Sequence, residues 1–211
     1  STAVLALGIL LLATGIGAAA LFLNPLTGVS ILLGGLTYVV VYTAWLKRRT
    51  SWNIVIGGFA GSAPALAGSA AAVGHWTAGA IVFALLVFLW TPPHFWSLAL
   101  LLRDEYAAAG LPMLPRMDDV AFSGKVVVVS AALLVPAAVL FEWTGAVAWP
   151  ILVTLIALGV VFTALTLPLW REVTRPAARR AFVFAGPYLL AVVIALLVNV
   201  PLLRAGVATG W

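Results

Sequence analysis

Cysteine is absent from the 211-residue sequence, which excludes disulfide scaffolds, thiolate-ligated metals and thiol catalysis. Charge is scarce as well: Asp, Glu, Lys and Arg make up 8% of the chain, against about 25% in soluble domains. Acidic residues number six, and none occurs before Asp104. With 64% of its residues hydrophobic, the chain lacks the polar surface of a soluble domain and reads as an integral membrane protein. A formal net charge of +5 would suit nucleic acid, but in a membrane protein a basic surplus reflects insertion topology, so no nucleic-acid partner is expected. The chain opens on Ser1, and no basic segment precedes its first apolar run. A cleaved signal peptide is therefore disfavoured, and a fragment of a longer chain is expected.

What is present is a series of apolar runs, each near the roughly 20 residues needed to cross about 30 Å of hydrocarbon. They cover Val4–Leu23, Gly28–Leu46, Ile54–Val73, Ala78–Leu102, Val126–Phe141, Val147–Trp170 and Ala181–Leu203. The expected fold class is all-α, a polytopic transmembrane bundle with seven helices present and one domain over residues 1–211. The third run is rich in Gly and Ala, with Pro64 inside it, and reads as a closely packed helix interface from Gly57 to Gly68. Seven crossings put Lys47, Arg48, Arg49, Arg103, Arg116, Lys125, Arg171, Arg175, Arg179 and Arg180 on one face, ten of the eleven basic residues. Only Arg204 falls opposite. That asymmetry marks the basic face as cytoplasmic and supports the count of spans, because adding or losing one would scatter the charges.

The acidic residues share the same face. Asp104, Glu105, Asp118 and Asp119 occupy one loop and Glu172 the next, with Glu142 opposite. Inside the bilayer the only ionisable candidate is His94, in WTPPHFW, which argues against a proton-coupled transporter. The last span has no lysine for a retinal Schiff base. Two readings of His94 stay open: a side chain bonded to a carbonyl freed by Pro92 or Pro93, or a haem or metal ligand or proton relay facing a cavity. His75, beside Trp76, reads as interfacial. In YTAWLKRRTSWNIVIGG, Lys47 and Arg48 are either a stop-transfer patch on anionic lipid or a clamp for a phosphate group, with Thr50 and Asn53 serving as helix caps or as part of that site. Asp104 or Glu105 is either simply solvated or able to hold magnesium through oxygen, leaving sites for water and phosphate. Together these groups suit an amphiphile with a diphosphate head and a lipid tail.

Two long stretches, YTAWLKRRTSWNIVIGGFAGSAPALAG and WTPPHFWSLALLLRDEYAAAGLPMLP, resemble the UbiA-type intramembrane prenyltransferases, in the branch that farnesylates haem. The resemblance implies a nine-helix bundle in a prokaryotic plasma membrane with its site on the cytoplasmic side. It implies transfer of a farnesyl group from farnesyl diphosphate to protohaem IX (haem B), giving haem O, with Mg2+ as cofactor and haem-handling or oxidase-assembly proteins as further partners. Carried over residue by residue, it places Lys47 and Arg48 at the diphosphate and Asp104 and Glu105 at the metal. Asp104, Lys47, Arg48 and Tyr106 become the catalytic set, with Tyr42, Thr50, Asn53 and His94 lining the substrate site.

The sequence departs from the family pattern at Glu105, often an aspartate there, and in the RMDD that follows Pro115. The family's first acidic motif, between its second and third helices, has no counterpart, which is the basis for expecting an N-terminally incomplete domain whose 211 residues are inactive alone. Ionisation of an allylic diphosphate needs fixed positive charge in a dry site, and Tyr42, Trp45, Phe95 and Trp96 could steady the resulting cation. Two alternatives remain: a UbiA-type enzyme prenylating a quinone or chlorophyll precursor, and a non-enzymatic seven-helix binding or transport protein.

Overall fold

The structure is a computed structural model that describes residues 2–115 and 117–207; Arg116, counted above with the basic loops, lies outside them. Every regular element among the described residues is helical. The chain runs through α1 (Thr2–Phe22) and α2 (Pro25–Leu36), which continues as a π-helix over Thr37–Leu46. Next come α3 (Asn53–Val73), α4 (Ala78–Leu101), the short α5 (Arg103–Ala108), α6 (Val120–Ala132) and α7 (Leu134–Val139). A 3-10 turn at Glu142–Thr144 leads to α8 (Trp149–Thr166), α9 (Pro168–Arg171) and α10 (Arg175–Arg204). Among the described residues seven stretches are long and apolar enough to cross a bilayer, as the hydropathy pattern predicts, and the protein is a multi-pass membrane bundle.

Two spans begin six residues before their apolar runs. The fifth starts at Val120 and the seventh at Arg175, each some residues ahead of the expected 126 and 181. Their first turns are capped locally: Asp119 accepts from the Phe122 N–H at 2.8 Å, and Thr174 accepts from Ala177 N–H at 3.3 Å with Pro176 in the first turn. Caps and a first-turn proline let a helix extend through polar sequence that hydropathy alone excludes.

Loop contacts fix which ends lie together. Ser51 Oγ donates to Pro115 O at 3.2 Å and Asn53 Nδ2 to Pro112 O at 3.2 Å, joining the loop after the second span to the loop after the fourth. A cleft lined by Arg103, Asp104, Thr174 and Arg175 joins that loop to the one before the seventh. The basic loops therefore share one end. At the other end Asn24 Nδ2 donates to Ala70 O at 2.7 Å, Trp76 Nε1 to Ser30 Oγ at 3.1 Å, and Asn199 bonds both Ala146 and Ala148.

The core has two parts. Near the basic end, Ile54, Trp96, Leu100, Val127 and Leu169 enclose Met113 and Leu114, so the PMLP loop folds back into the bundle as a plug. The second part packs Leu86, Phe141, Leu155, Phe162 and Tyr188 across α4, α7, α8 and α10. Small residues bring α2 and α3 together: a Cβ on Gly34 would sit 2.7 Å from Ala63 Cβ, so nothing larger than hydrogen fits there. The prolines of α4 are absorbed without ending the helix. Ser97 Oγ donates to Pro93 O at 2.6 Å and Thr91 Oγ1 to Val87 O at 3.0 Å, keeping the polar backbone supplied inside the bundle.

Candidate active site

Near the basic end, the π-helix, α3 and α4 leave a cavity of about 620 Å³, with Leu189 of α10 also on its wall. Glycines 34, 35, 57, 58 and 61 supply much of that wall, because residues without side chains leave room between helices already in contact. The rest is aromatic and aliphatic in equal part, with Tyr38, Tyr42, Trp90 and Phe95 beside Ile54 and Val87, and Thr91 in addition. Among the described residues Lys47 is the one cationic group lining it. Its Nζ lies 5.9 Å from the centroid of the Tyr42 ring, within the range of a cation–π contact. Tyr42 stacks on Tyr38 with centroids 6.0 Å apart, and Gly57 makes that placement possible: a Cβ there would meet Tyr42 Cδ2 at 2.6 Å.

The cavity is apolar along its length and positive at its end. Such a shape accepts an elongated hydrocarbon bearing an anionic head. A larger groove of about 950 Å³ runs along α6 and α8, lined by Val128, Val129, Ala164 and Trp170 with Arg171 and Glu172 at its edge. None of the residues expected at the site lines it, so the smaller cavity is the better candidate.

The remaining expected residues fall in several places. Arg48 is exposed just past Lys47. Thr50 makes the turn into α3: its Oγ1 accepts from Trp52 N–H at 3.2 Å and its carbonyl accepts from Asn53 Nδ2 at 2.6 Å. Asn53 is fully buried, where its amide clamps the Thr50 and Pro112 backbones together while Oδ1 has no partner. Tyr106 is half-buried against the core near the basic end. His94 lies between the rings of Trp90 and Phe182, at 4.5 and 5.1 Å between centroids, with Phe95 edge-on at 5.0 Å. Its Nδ1 is buried without a partner, and the freed carbonyls near Pro92 and Pro93 do not engage it. His94 itself is not on the cavity wall, but two of the rings packed on it are.

Asp104 opens α5 beside Arg103, 3.4 Å away, and is largely exposed at 79%. It lines a cleft of about 110 Å³ with Arg103 and Arg175, separate from the cavity of Lys47. Glu105 follows it directly, so about 100° of helix rotation turns the two carboxylates apart. Among the described residues no three His, Asp or Glu side chains come together as a metal site, and Asp104 with Glu105 does not enclose a cation unaided.

Sequence reasoning did not single out Tyr38, Trp90, Thr91 or the glycines as cavity-lining groups. The spacing of Tyr38 to Tyr42 was a usable signal, and the glycine-rich run, read as pure helix packing, serves packing and cavity at once.

The chain matches the UbiA prenyltransferase family over residues 1–193. It is 43% identical over 175 residues to a protein named protoheme IX farnesyltransferase from Sulfurisphaera tokodaii, covering 83% of this chain and 58% of that relative. It is 44% identical over 177 residues to the protein of the same name from Metallosphaera sedula, covering 83% of this chain and 61% of that one. A third relative of that name, from Symbiobacterium thermophilum, is 41% identical over 182 residues, 85% of this chain and 61% of its own. The chain thus spans about three-fifths of the length of these relatives. No solved structure matches it significantly.

Proposed function

Because the chain belongs to the UbiA prenyltransferase family, we propose that the complete protein of which it forms part transfers a farnesyl group from farnesyl diphosphate to protohaem IX, making haem O at the cytoplasmic face of the membrane. The observation that carries this is the cavity of about 620 Å³ whose walls are glycine, aliphatic and aromatic and whose single cation among the described residues is Lys47. The relatives' shared name supplies the haem and the farnesyl group as the pair to be joined.

In this reading the tail lies among Gly34, Gly61 and Trp90, and Lys47 faces the diphosphate. Breaking the allylic C–O bond leaves the electron pair on diphosphate, and a fixed cation in a site of low dielectric stabilises that charge more than water would. The farnesyl carbon then bonds to the terminal carbon of a haem vinyl group. The positive charge passes to the porphyrin side and is quenched by one water, which loses a proton. Tyr38 and Tyr42 present ring faces that steady positive charge meanwhile, and the apolar walls keep bulk water from the allylic cation until the new bond exists. Arg48 supplements Lys47 from the rim. Magnesium commonly neutralises a diphosphate; here it would need ligands in addition to Asp104 and Glu105, and no step above depends on it.

The test is pigment extraction from membranes containing the full-length protein, haem B and farnesyl diphosphate. Haem O is expected, and Lys47→Ala should remove most of it while the protein still inserts. Haem B left unchanged by the full-length protein, or full turnover in Lys47→Ala, refutes the reading.

A further inference from the structure

The segment Thr37–Leu46 is a π-helix of ten residues, far longer than the single turns in which that geometry is usually met, often at functional sites. Its sequence favours a wide turn. Thr37, Val39, Val40, Val41 and Thr43 are β-branched, and such side chains crowd the preceding turn of an α-helix.

The register is also held by a specific bond. Thr43 Oγ1 donates to Tyr38 O at 2.7 Å, five residues back. Elsewhere in the bundle helical hydroxyls reach back three or four residues, as Ser30 does to Leu26, Thr91 to Val87 and Thr163 to Gly159. Lys47 N–H likewise donates to Tyr42 O at 2.8 Å, closing the last wide turn.

The wide register decides where Lys47 points. At about 100° per residue, an α-helix would carry a side chain five positions on from Tyr42 about 140° round the axis, off the cavity wall. Turns closed over five residues turn through fewer degrees per residue, so position 47 falls much closer to the line of position 42. Both line the cavity, in cation–π contact with each other.

We propose that Thr43 is a positioning residue, whose hydroxyl on the Tyr38 carbonyl holds the π register that presents Lys47 to the cavity. Thr43 is exposed on the outer surface of its span, so it touches nothing that binds in the cavity and acts only through the backbone. The inference rests on Lys47 facing the diphosphate, and its test separates the two.

In the full-length protein, inorganic pyrophosphate binding is measured by calorimetry for Thr43→Val, which keeps the shape and loses the hydroxyl, and for Thr43→Ser, which restores it. Thr43→Val should weaken binding about three- to tenfold, the scale of one net hydrogen bond, and Thr43→Ser should recover it. In a Lys47→Ala background Thr43→Val should add nothing, because the effect passes through Lys47. Where Lys47→Ala itself weakens binding, parental affinity in Thr43→Val, or an undiminished loss in the Lys47→Ala background, overturns the proposal.

A nitroxide on Lys47→Cys, single in these cysteine-free residues, reads the register without any ligand. Its spectrum should change on adding Thr43→Val and revert with Thr43→Ser; an unchanged spectrum also overturns the proposal. A changed spectrum with parental pyrophosphate affinity in Lys47→Ala keeps Thr43 as positioning residue and removes Lys47 from the diphosphate.

Discussion

Replacing Asn199 by leucine should cost the protein stability and leave its substrate affinity alone. Asn199 is buried near the end of α10 remote from Lys47, and its amide is used on both sides: Oδ1 accepts from Ala148 N–H at 2.7 Å, and Nδ2 donates to Ala146 O at 2.8 Å. Ala148 is fully buried and begins α8 with no side-chain cap of its own, so the asparagine from α10 fixes the entry to that helix. Leucine branches at the same carbon but is bulkier, and it leaves a buried N–H and a C=O without partners. Each such orphan costs about 1–3 kcal/mol. Leucine's own apolar burial offsets part of this, and polar pairs in membrane proteins often measure well under 2 kcal/mol, so a net loss of about 2–3 kcal/mol is expected. Asn199→Asp should be no better, since it turns an oxygen towards the Ala146 carbonyl. The assay is reversible unfolding in mixed micelles, with pyrophosphate binding measured on the folded fraction. An Asn199→Leu protein whose stability lies within about 0.5 kcal/mol of the parent would refute the claim that these bonds are made and matter.

Gly124→Ala should destabilise the bundle by about 1–3 kcal/mol in the same assay, since the new methyl would lie 2.5 Å from Val173 Cγ2 and 2.6 Å from the Leu169 carbonyl oxygen, and backbone cannot swing aside. Gly68→Ala meets nothing within 4 Å and should be neutral or slightly stabilising, as alanine is the better helix former. Gly57→Val should drive the Tyr42 ring from its place, lowering pyrophosphate affinity while the protein stays folded, because a half-buried ring yields more easily than a core.

Much of the fold was legible because lipid imposes a simple rule on sequence: apolar runs of span length, and cations between alternate pairs. Ala78–Leu101 and Pro25–Leu46 therefore end within a residue of their expected limits. The polar starts of α6 and α10 were not legible, since hydropathy is blind to caps such as Asp119 and Thr174. The site was legible in part. Lys47 and Tyr42, named from the motif, line one cavity, yet nothing in their spacing announces a π-helix, which a pattern based on 3.6 residues per turn cannot register. Asn53 illustrates a different limit: its residue type fits ligand binding and loop clamping equally, and only the position of Pro112 shows its amide bonded to backbone.

Tyr38 and Phe95 stand on the cavity wall while 59% and 40% exposed, and both belong to spans. A chamber rimmed by such residues exchanges its contents sideways with the acyl chains rather than with solvent. In the proposed function, occupancy then follows the mole fraction of prenyl chains in the surrounding amphiphile, so a half-saturation constant per litre has no fixed value. Doubling the detergent at constant substrate should halve the effective supply, and rates compared between preparations are meaningful only at a fixed ratio of substrate to lipid.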